Sequence, residues 1–159
     1  MVNNSLRLPH VSYFGVLLPP AASFMTTVGE NAPTSGLHAL VVEDDMLIMM
    51  DIEEILKSLG ISRVSCATNN ENALILLESD TPDFALMDYH LGKANSLDLA
   101  WKLHNHQVPF AFVTGAMAPQ TMPKEFANVP LVAKPFTESD IGMVVKQLLA
   151  KRQMDCASS

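Results

Sequence analysis

Apolar residues from position 38 onward fall into two kinds of pattern. Longer stretches repeat apolar residues every three or four positions, as one face of a helix does, over residues 46–59, 69–79, 96–104 and 137–149. Between them lie short, mostly apolar runs typical of buried strands: ALVV (39–42), RVSCAT (63–68), DFALMD (83–88), PFAFVT (109–114) and LVA (131–133). The pattern therefore predicts strands and helices that alternate along the chain.

This alternation predicts the fold class. Strands separated by helices form a parallel sheet, because each crossover places its helix against a face of the sheet. Right-handed crossovers then favour a doubly wound α/β arrangement, here with five strands and five helices. We expect the helix between the last two strands to be short or irregular, since Pro119 and Pro123 interrupt that segment.

Polar residues predict where several helices begin and end. Asp45 precedes the first helix, where an acid is favoured by the positive end of the helix dipole, and Gly60 is placed to end that helix. Asn69 or Asn70 is expected to cap the second helix. The segment TESD (137–140) resembles a capping box at the start of the last helix, with an Asp where Glu or Gln is usual.

Composition narrows the classes of function. The 159 residues are 48% hydrophobic, no apolar run approaches the length of a membrane span, and the net charge is −7. An acidic chain without clustered Lys and Arg is not expected to bind DNA, and no membrane partner is expected. The two cysteines, Cys66 and Cys156, do not make a disulfide framework, so a reduced, cytoplasmic compartment is predicted.

Charge also divides the chain into segments. Residues 1–36 hold only two charged side chains, and we expect them to be a disordered extension or a misassigned start, with the true start at Met25. Within them, a basic residue followed by VSYFGVLLPPAAS has the order of a signal peptide, but its paired prolines argue against one. The folded domain is expected over residues 37–151, with a short tail at 152–159.

Polar residues follow four of the predicted strands. In doubly wound sheets, functional groups collect at the carboxyl ends of the strands. This rule selects a set of candidates for the functional site: Glu43, Asp44 and Asp45 after the first strand, Asp88 after the third, Thr114 after the fourth and Lys134 after the fifth.

Neighbouring acids in such a cluster need a positive partner. Two unit charges about 4 Å apart repel by roughly 4 kcal/mol at an effective dielectric constant near 20. Lys134 supplies one compensating charge and a divalent cation would supply two more, with oxygen ligands pointing to Mg²⁺. A carboxylate such as Asp88, beside a metal ion and a lysine, can attack phosphorus to form an aspartyl phosphate. The hydroxyl of Thr114 would then help to neutralise the phosphoryl oxygens.

Four segments together point to a family. LVVEDD, LMDYHL, FVTG and AKPF, in this order and spacing, resemble the signature blocks of the response-regulator receiver family over about residues 37–151. The resemblance implies a CheY-like, flavodoxin-like sheet of strand order 2-1-3-4-5 with helices on both faces. It also implies that Asp88 is the phosphoacceptor, with Thr114 and Lys134 completing the catalytic set and Pro135 in the cis form.

The same resemblance implies a set of metal ligands. Mg²⁺ would be bound by Asp44 directly, by Glu43 through water, by Asp88, and by the backbone carbonyl of His90. Asp45 lies outside the matched acidic pair, so the start of the following helix remains its expected role.

Two positions depart from the family pattern. The family often has Tyr or Phe three residues before the lysine, where this chain has Leu131, and commonly Ala after the threonine, where it has Gly115. The run PFAFVTGA is similar to a subset named for a Phe-Ala-Thr-Gly-type motif. Because Gly permits backbone angles that other residues resist, we expect the 115–128 loop, rather than an aromatic ring, to carry the switch.

The resemblance implies a single-domain response regulator of a two-component phosphorelay. Asp88 would take a phosphoryl group from a histidine kinase or a histidine phosphotransfer protein. Few residues follow the last helix, so the chain is expected to carry no output domain and to signal to an unknown output partner by protein–protein interaction. It would catalyse only its own phosphorylation and dephosphorylation.

Three alternative functions stay open at this point. The chain could serve as a phosphate sink or relay in the same system. An aspartate-nucleophile phosphohydrolase of similar topology usually carries Asp-x-Asp at the nucleophile, where this chain has Asp88-Tyr89-His90. A degenerate receiver acting as a constitutive adaptor would not need the complete set of site residues.

Overall fold

A five-stranded parallel sheet forms the centre of the protein. The computed structural model describes residues 36–92, 94–115 and 122–157. The strands are β1 (His38–Val42), β2 (Arg63–Ala67), β3 (Phe84–Met87), β4 (Phe110–Thr114) and β5 (Leu131–Ala133). They pair in the order β2-β1-β3-β4-β5, and every pair is parallel. The predicted α/β class and the strand order 2-1-3-4-5 are confirmed.

Helices cover both faces of this sheet. They are α1 (Met46–Ser58), α2 (Asn70–Ser79), α3 (Leu97–Asn105) and α4 (Glu138–Ala157). Alternate residues of β1 point to opposite faces, so that Leu40 packs with α2 and α3 while Val41 packs with α1 and α4. The two apolar clusters hold the sheet between two layers of helix, which is the predicted arrangement.

In the second half of the chain, one helical segment is short, as expected, and another extends beyond its predicted end. Between β4 and β5, the described residues form a single 3₁₀ turn at Lys124–Phe126, in keeping with the short or irregular helix expected there; residues 116–121 lie outside the described part of the chain. At the other end, α4 continues to Ala157, through most of the tail predicted at 152–159. Lys, Arg, Gln and Met favour helix, and no Gly or Pro follows residue 150 to end it.

The segment between β3 and α3 contains a hairpin that was not predicted. His90–Leu91 pairs with Ala94–Asn95 in a short antiparallel ladder. The Asn70 side chain of α2 donates to the Asn95 carbonyl at 2.8 Å, and the Ser96 N–H donates to the Tyr89 carbonyl at 3.0 Å. These two bonds tie the hairpin to α2 and to the end of β3.

The helix ends carry the predicted caps. Asp45 caps α1, because its Oδ1 accepts the Leu47 N–H at 2.9 Å. Gly60 has a φ of +87° after the end of α1, and its N–H donates to the Lys57 carbonyl at 3.0 Å, a glycine C-cap. Asn69 caps α2. In the predicted capping box, the Thr137 N–H donates to Oδ2 of Asp140 at 2.8 Å.

The predictions for the front of the chain concern residues 1–36, of which residues 1–35 lie outside the described residues. Among the helices of the described ranges, none is long and apolar enough to cross a membrane.

Candidate functional site

Four strands end at one edge of the sheet and place the predicted residues beside one another. Val42 of β1 pairs with Met87 of β3, so the residues that follow them, Glu43 and Asp88, leave the sheet side by side. The Asp88 N–H donates to the Val42 carbonyl at 2.8 Å, which fixes this register at the edge. Parallel pairing alone therefore brings together two acids that are far apart in sequence.

The other half of the site is built in the same way. Thr114 of β4 pairs with Ala133 of β5, and the Lys134 N–H donates to the Thr114 carbonyl at 2.9 Å. The Thr114 side chain is buried. The Lys134–Pro135 peptide bond is cis, as the family resemblance implied.

Lys134 bridges the two buried acids. Its Nζ lies 2.6 Å from Oε2 of Glu43 and 2.5 Å from Oδ2 of Asp88. Glu43 is 1% exposed and Asp88 is 8% exposed, so both ion pairs are shielded from water. Removing one partner of such a pair leaves a buried charge without compensation.

Burial and ion pairing act on the ionisation of this cluster. Burial raises the pKa of the Glu43 carboxyl, and this effect exceeds the opposing effect of the hydrogen bond from Lys134. Burial by itself would lower the pKa of Lys134, but its hydrogen bonds to Asp88 and Glu43 and the negative charges of these acids together outweigh that effect and raise it. Lys134 is therefore held firmly in the charged form between two acids.

Three acids of the site could hold a metal ion. One carboxylate oxygen from each of Glu43, Asp44 and Asp88 lies within 4.8 Å of the others. Asp44 is exposed, which leaves water access to a cation bound there. Oxygen ligands, few protein ligands and open access to water fit the preference of Mg²⁺, and three carboxylates beside one ammonium leave negative charge for a divalent cation to balance.

The structure places His90 next to Asp88. The His90 N–H donates to Oδ1 of Asp88 at 2.9 Å, and the His90 ring lies edge-on to Tyr89 with the centroids 4.8 Å apart. The His90 side chain is exposed. A metal contact by its carbonyl stays a prediction.

Two departures from the family pattern have visible consequences. Gly115 does not adopt the left-handed backbone, and a Cβ added there would meet no atom within 4 Å. A need for unusual backbone angles at Gly115 is thus not observed, and the switch in the 115–128 loop stays a prediction. Leu131 is 40% exposed and lines a groove of about 500 Å³ between β5 and α4 together with the exposed Met143.

One contact of the site was missed in the sequence. The Gly92 N–H, from the hairpin, donates to Oδ2 of Asp44 at 3.0 Å. Gly92 is the one glycine between β3 and α3, and a lone glycine there was a signal for a turn. Nothing in the sequence indicated that the turn would reach back to β1.

Comparison with known proteins agrees with this geometry. Residues 39–146 match the family model of the response regulator receiver domain. The chain is 31% identical over 127 residues to the phyllosphere-induced regulator PhyR of Methylorubrum extorquens, covering 78% of this chain and 48% of that protein. It is 28% identical over 107 residues to the transcriptional regulatory protein PdtaR of Mycobacterium tuberculosis, covering 65% of this chain and 52% of that protein. The chain thus spans about half the length of the curated relatives it matches.

Solved structures show the same relationship. The crystal structure of the response regulator PhyR from Brucella abortus is similar with a TM-score of 0.67 and 26% identity, over 79% of this chain and 53% of that chain. The BeF3-activated conformation of SdrG from Pseudomonas melonis is similar with a TM-score of 0.61 and 30% identity, over 76% of this chain and 99% of that chain. The family match covers more than half of the sequence and includes all the strand-end residues described above. The chain therefore belongs to the response regulator receiver domain family, and with it to two-component signalling.

Proposed function

We propose that this receiver accepts a phosphoryl group on Asp88 in a Mg²⁺-dependent reaction, from a histidine kinase or a histidine phosphotransfer protein. The observation that carries the proposal is the position of Asp88, a buried carboxylate 2.5 Å from the Lys134 ammonium and within 4.8 Å of two further acids. In the transfer, the P–N bond of a phosphohistidine breaks, an O–P bond to Asp88 forms, and the histidine nitrogen regains a proton.

The chain's own groups have separate roles in this reaction. Lys134 already contacts Oδ2 of Asp88, so its ammonium stands within reach of the oxygens of a phosphoryl group added there. The His90 N–H holds Oδ1 and orients the carboxylate. Glu43 and Asp44 would hold Mg²⁺ with Asp88, and the bound ion would neutralise charge on the transferred group. Thr114, buried at the end of β4, would contact the phosphoryl oxygens.

The output of this receiver is proposed to be protein–protein interaction, in the cytoplasm. One relative of known structure, from Bartonella quintana and 27% identical, is named an anti-anti-sigma factor, a role carried out on protein partners. Leu131 and Met143, which are both exposed and both line the groove between β5 and α4, offer apolar surface for such a partner.

Two aspartates that flank β3 allow a matched test. Asp83 precedes the strand and Asp88 follows it, so Asp83→Asn makes the same chemical change at the opposite end. Incubation with a small phosphodonor such as acetyl phosphate and Mg²⁺ should add the mass of one phosphoryl group to the wild type and to Asp83→Asn. Asp88→Asn should gain none, and a chelator should abolish labelling of the wild type and of Asp83→Asn.

Two results would redirect the proposal. Labelling of Asp88→Asn, or labelling that ignores the chelator, would refute it. Sustained release of phosphate from a small phosphate ester, instead of one phosphoryl group per chain, would restore the phosphohydrolase alternative.

A further inference from the structure

Protein hydrogen-bond donors are shared unevenly among the carboxylate oxygens of the site. Lys134 holds one oxygen of Glu43 and one of Asp88. A backbone N–H holds the second oxygen of each acid. The Asp45 N–H donates to Oε1 of Glu43 at 3.3 Å, and the His90 N–H donates to Oδ1 of Asp88 at 2.9 Å. Both buried acids therefore have a donor on each oxygen.

Asp44 differs from these two acids. Its Oδ2 accepts the Gly92 N–H at 3.0 Å, whereas no residue in the described part of the chain donates to its Oδ1. Of the oxygens that these three acids carry, Oδ1 of Asp44 is thus the one without a donor among the described residues, whereas a cation bound to Glu43 or Asp88 would take an oxygen that also accepts a hydrogen bond.

The Gly92 amide owes its position to a backbone conformation that favours glycine. Gly92 has a φ of +61°, in the left-handed region that side chains with a Cβ resist. The space around it is open, since an added Cβ would come no closer than 3.9 Å to Oδ2 of Asp44. A residue other than glycine would therefore be opposed by the backbone angles and not by crowding.

The hairpin that carries Gly92 is held from two sides. The Asn70 side chain of α2 binds the Asn95 carbonyl, and the Ser96 N–H binds the Tyr89 carbonyl directly after Asp88. The Gly92 amide is consequently fixed relative to the phosphoacceptor as well as to Asp44.

We propose that the Gly92 amide is a positioning and selectivity element of the cation site. It donates to Oδ2 of Asp44, which orients the carboxylate and makes Oδ2 the poorer ligand of the two oxygens, so that Asp44 binds a cation through Oδ1. A one-oxygen carboxylate suits the compact octahedral shell of Mg²⁺ and disfavours Ca²⁺, which readily takes both oxygens of a carboxylate. This inference rests on the proposed function, because it takes the site acids as ligands of Mg²⁺.

A series of substitutions at Gly92 tests the inference. Asn tolerates positive φ better than Ala, and the β-branched Val tolerates it least, so Gly92→Asn, Gly92→Ala and Gly92→Val should progressively misplace the amide. The control is Gly60→Ala, which imposes the same kind of strain at a φ of +87° on the far side of α1. Magnesium chloride and calcium chloride are titrated separately into the full chain, and the backbone amide shifts of Asp44 and residue 92 report binding. Melting curves confirm that each variant is folded.

The expected result is graded. Gly92→Ala should raise the dissociation constant for Mg²⁺ about tenfold, as loss of a hydrogen bond that orients a metal ligand does. Gly92→Val should raise this constant further, and Gly92→Asn should change it least. The constant for Ca²⁺ should change less, so the preference for Mg²⁺ falls. Gly60→Ala should lower the melting temperature and leave both constants unchanged.

The failures can be told apart. If Gly92→Ala and Gly92→Val bind Mg²⁺ like the wild type, or Gly60→Ala weakens it equally, the inference is refuted while phosphorylation of Asp88 stands. If the wild type binds neither cation, the inference and the proposed Mg²⁺ dependence fall together.

Discussion

The two ends of the sheet arrange charge in opposite ways. Among the described residues, Glu43 and Asp88 at the carboxyl end share one cationic side chain, Lys134, and Asp44 beside them has no ion pair. At the amino end, the two acids that precede β3 each pair with an arginine: Asp80 pairs with Arg63 and Asp83 pairs with Arg152. Negative charge is thus in excess at one end and matched at the other.

The strand β3 shows what this difference teaches. Asp83 and Asp88 flank the same four buried residues, and both are partly or fully buried acids. Asp83 holds structure together: its Oδ2 accepts the His38 N–H at 2.6 Å and its Oδ1 lies 2.6 Å from Arg152. Asp88 is also held by a cation and an N–H donor, but its cation is shared with Glu43, and Asp44 lies close by. A strand-end acid therefore indicates a functional site when further acids lie around it and share its cation.

Removal of Lys134 should have the largest effect on stability. Lys134→Met keeps the length of the side chain but leaves Glu43 and Asp88 buried without a cation, which should cost about 3 kcal/mol of unfolding free energy. Denaturant unfolding in the presence of a chelator measures this loss. Millimolar Mg²⁺ should recover part of it, because a cation can replace the missing charge.

A matched substitution at the amino end supplies the control. Arg152→Met removes the cation from Asp83, but the Arg152 side chain is 43% exposed, so the cost should stay below about 1 kcal/mol and should not respond to Mg²⁺. Equal losses in the two variants would break the proposed contrast between the ends.

Neutralising Asp83 should have the next largest effect. Asp83→Asn removes the charge that holds both Arg152 and the His38 N–H, and it should destabilise the fold by about 1–2 kcal/mol. Thermal or denaturant unfolding measures it against the wild type. A neutral or stabilising result would mean that Asp83 carries no structural role.

Neutralising an acid at the opposite end should have the opposite sign. Asp44→Asn relieves repulsion from Glu43 and Asp88 at an exposed position, and should stabilise the cation-free protein by about 0.5–1 kcal/mol. The same variant should no longer gain stability from Mg²⁺. If Asp44→Asn destabilised the cation-free protein as Asp83→Asn does, the negative charge at the carboxyl end would not be in excess.

The sheet and the site residues could be predicted because their signals are local. The buried strands are short apolar runs, and Glu43, Asp88 and Lys134 each directly follow one of them. The strand order that the family resemblance implied is then enough to bring these three residues together. The caps at Asp45 and Gly60 depend on neighbouring backbone atoms and were predicted for the same reason.

The features that were not predicted depend on contacts between distant segments. The hairpin has strands of two residues each, too short for a periodic signal, and its contact to Asp44 spans 48 positions. The pair of Arg152 with Asp83 joins the end of α4 to the start of β3, and it requires α4 to extend past residue 151. The residues that neighbour each partner in the sequence do not indicate either of these contacts.

The finest test of the comparison is the pH dependence contributed by His38. This side chain is 5% exposed, its Nε2 lies 2.8 Å from the Ser65 hydroxyl and its Nδ1 lies 3.6 Å from Asp80. Burial, aided by Arg63, lowers the pKa of His38 below its usual 6.5, although Asp80 and Asp83 act in the other direction. As the pH falls, His38 is therefore protonated at a higher pH in the unfolded chain than in the folded protein.

The sign of the effect follows from this order of protonation. The stability contributed by neutral His38 is present above pH 6.5, and it is lost as the pH falls from there through the lowered pKa of the folded state. Between about pH 8 and pH 5.5, the wild type should lose more unfolding free energy than His38→Asn, measured by denaturant unfolding with a chelator present. The acids of the carboxyl end are common to both proteins and cancel in the difference. If the unfolding free energies of the wild type and His38→Asn changed with pH in parallel, protonation of His38 would not affect stability and the prediction would be wrong.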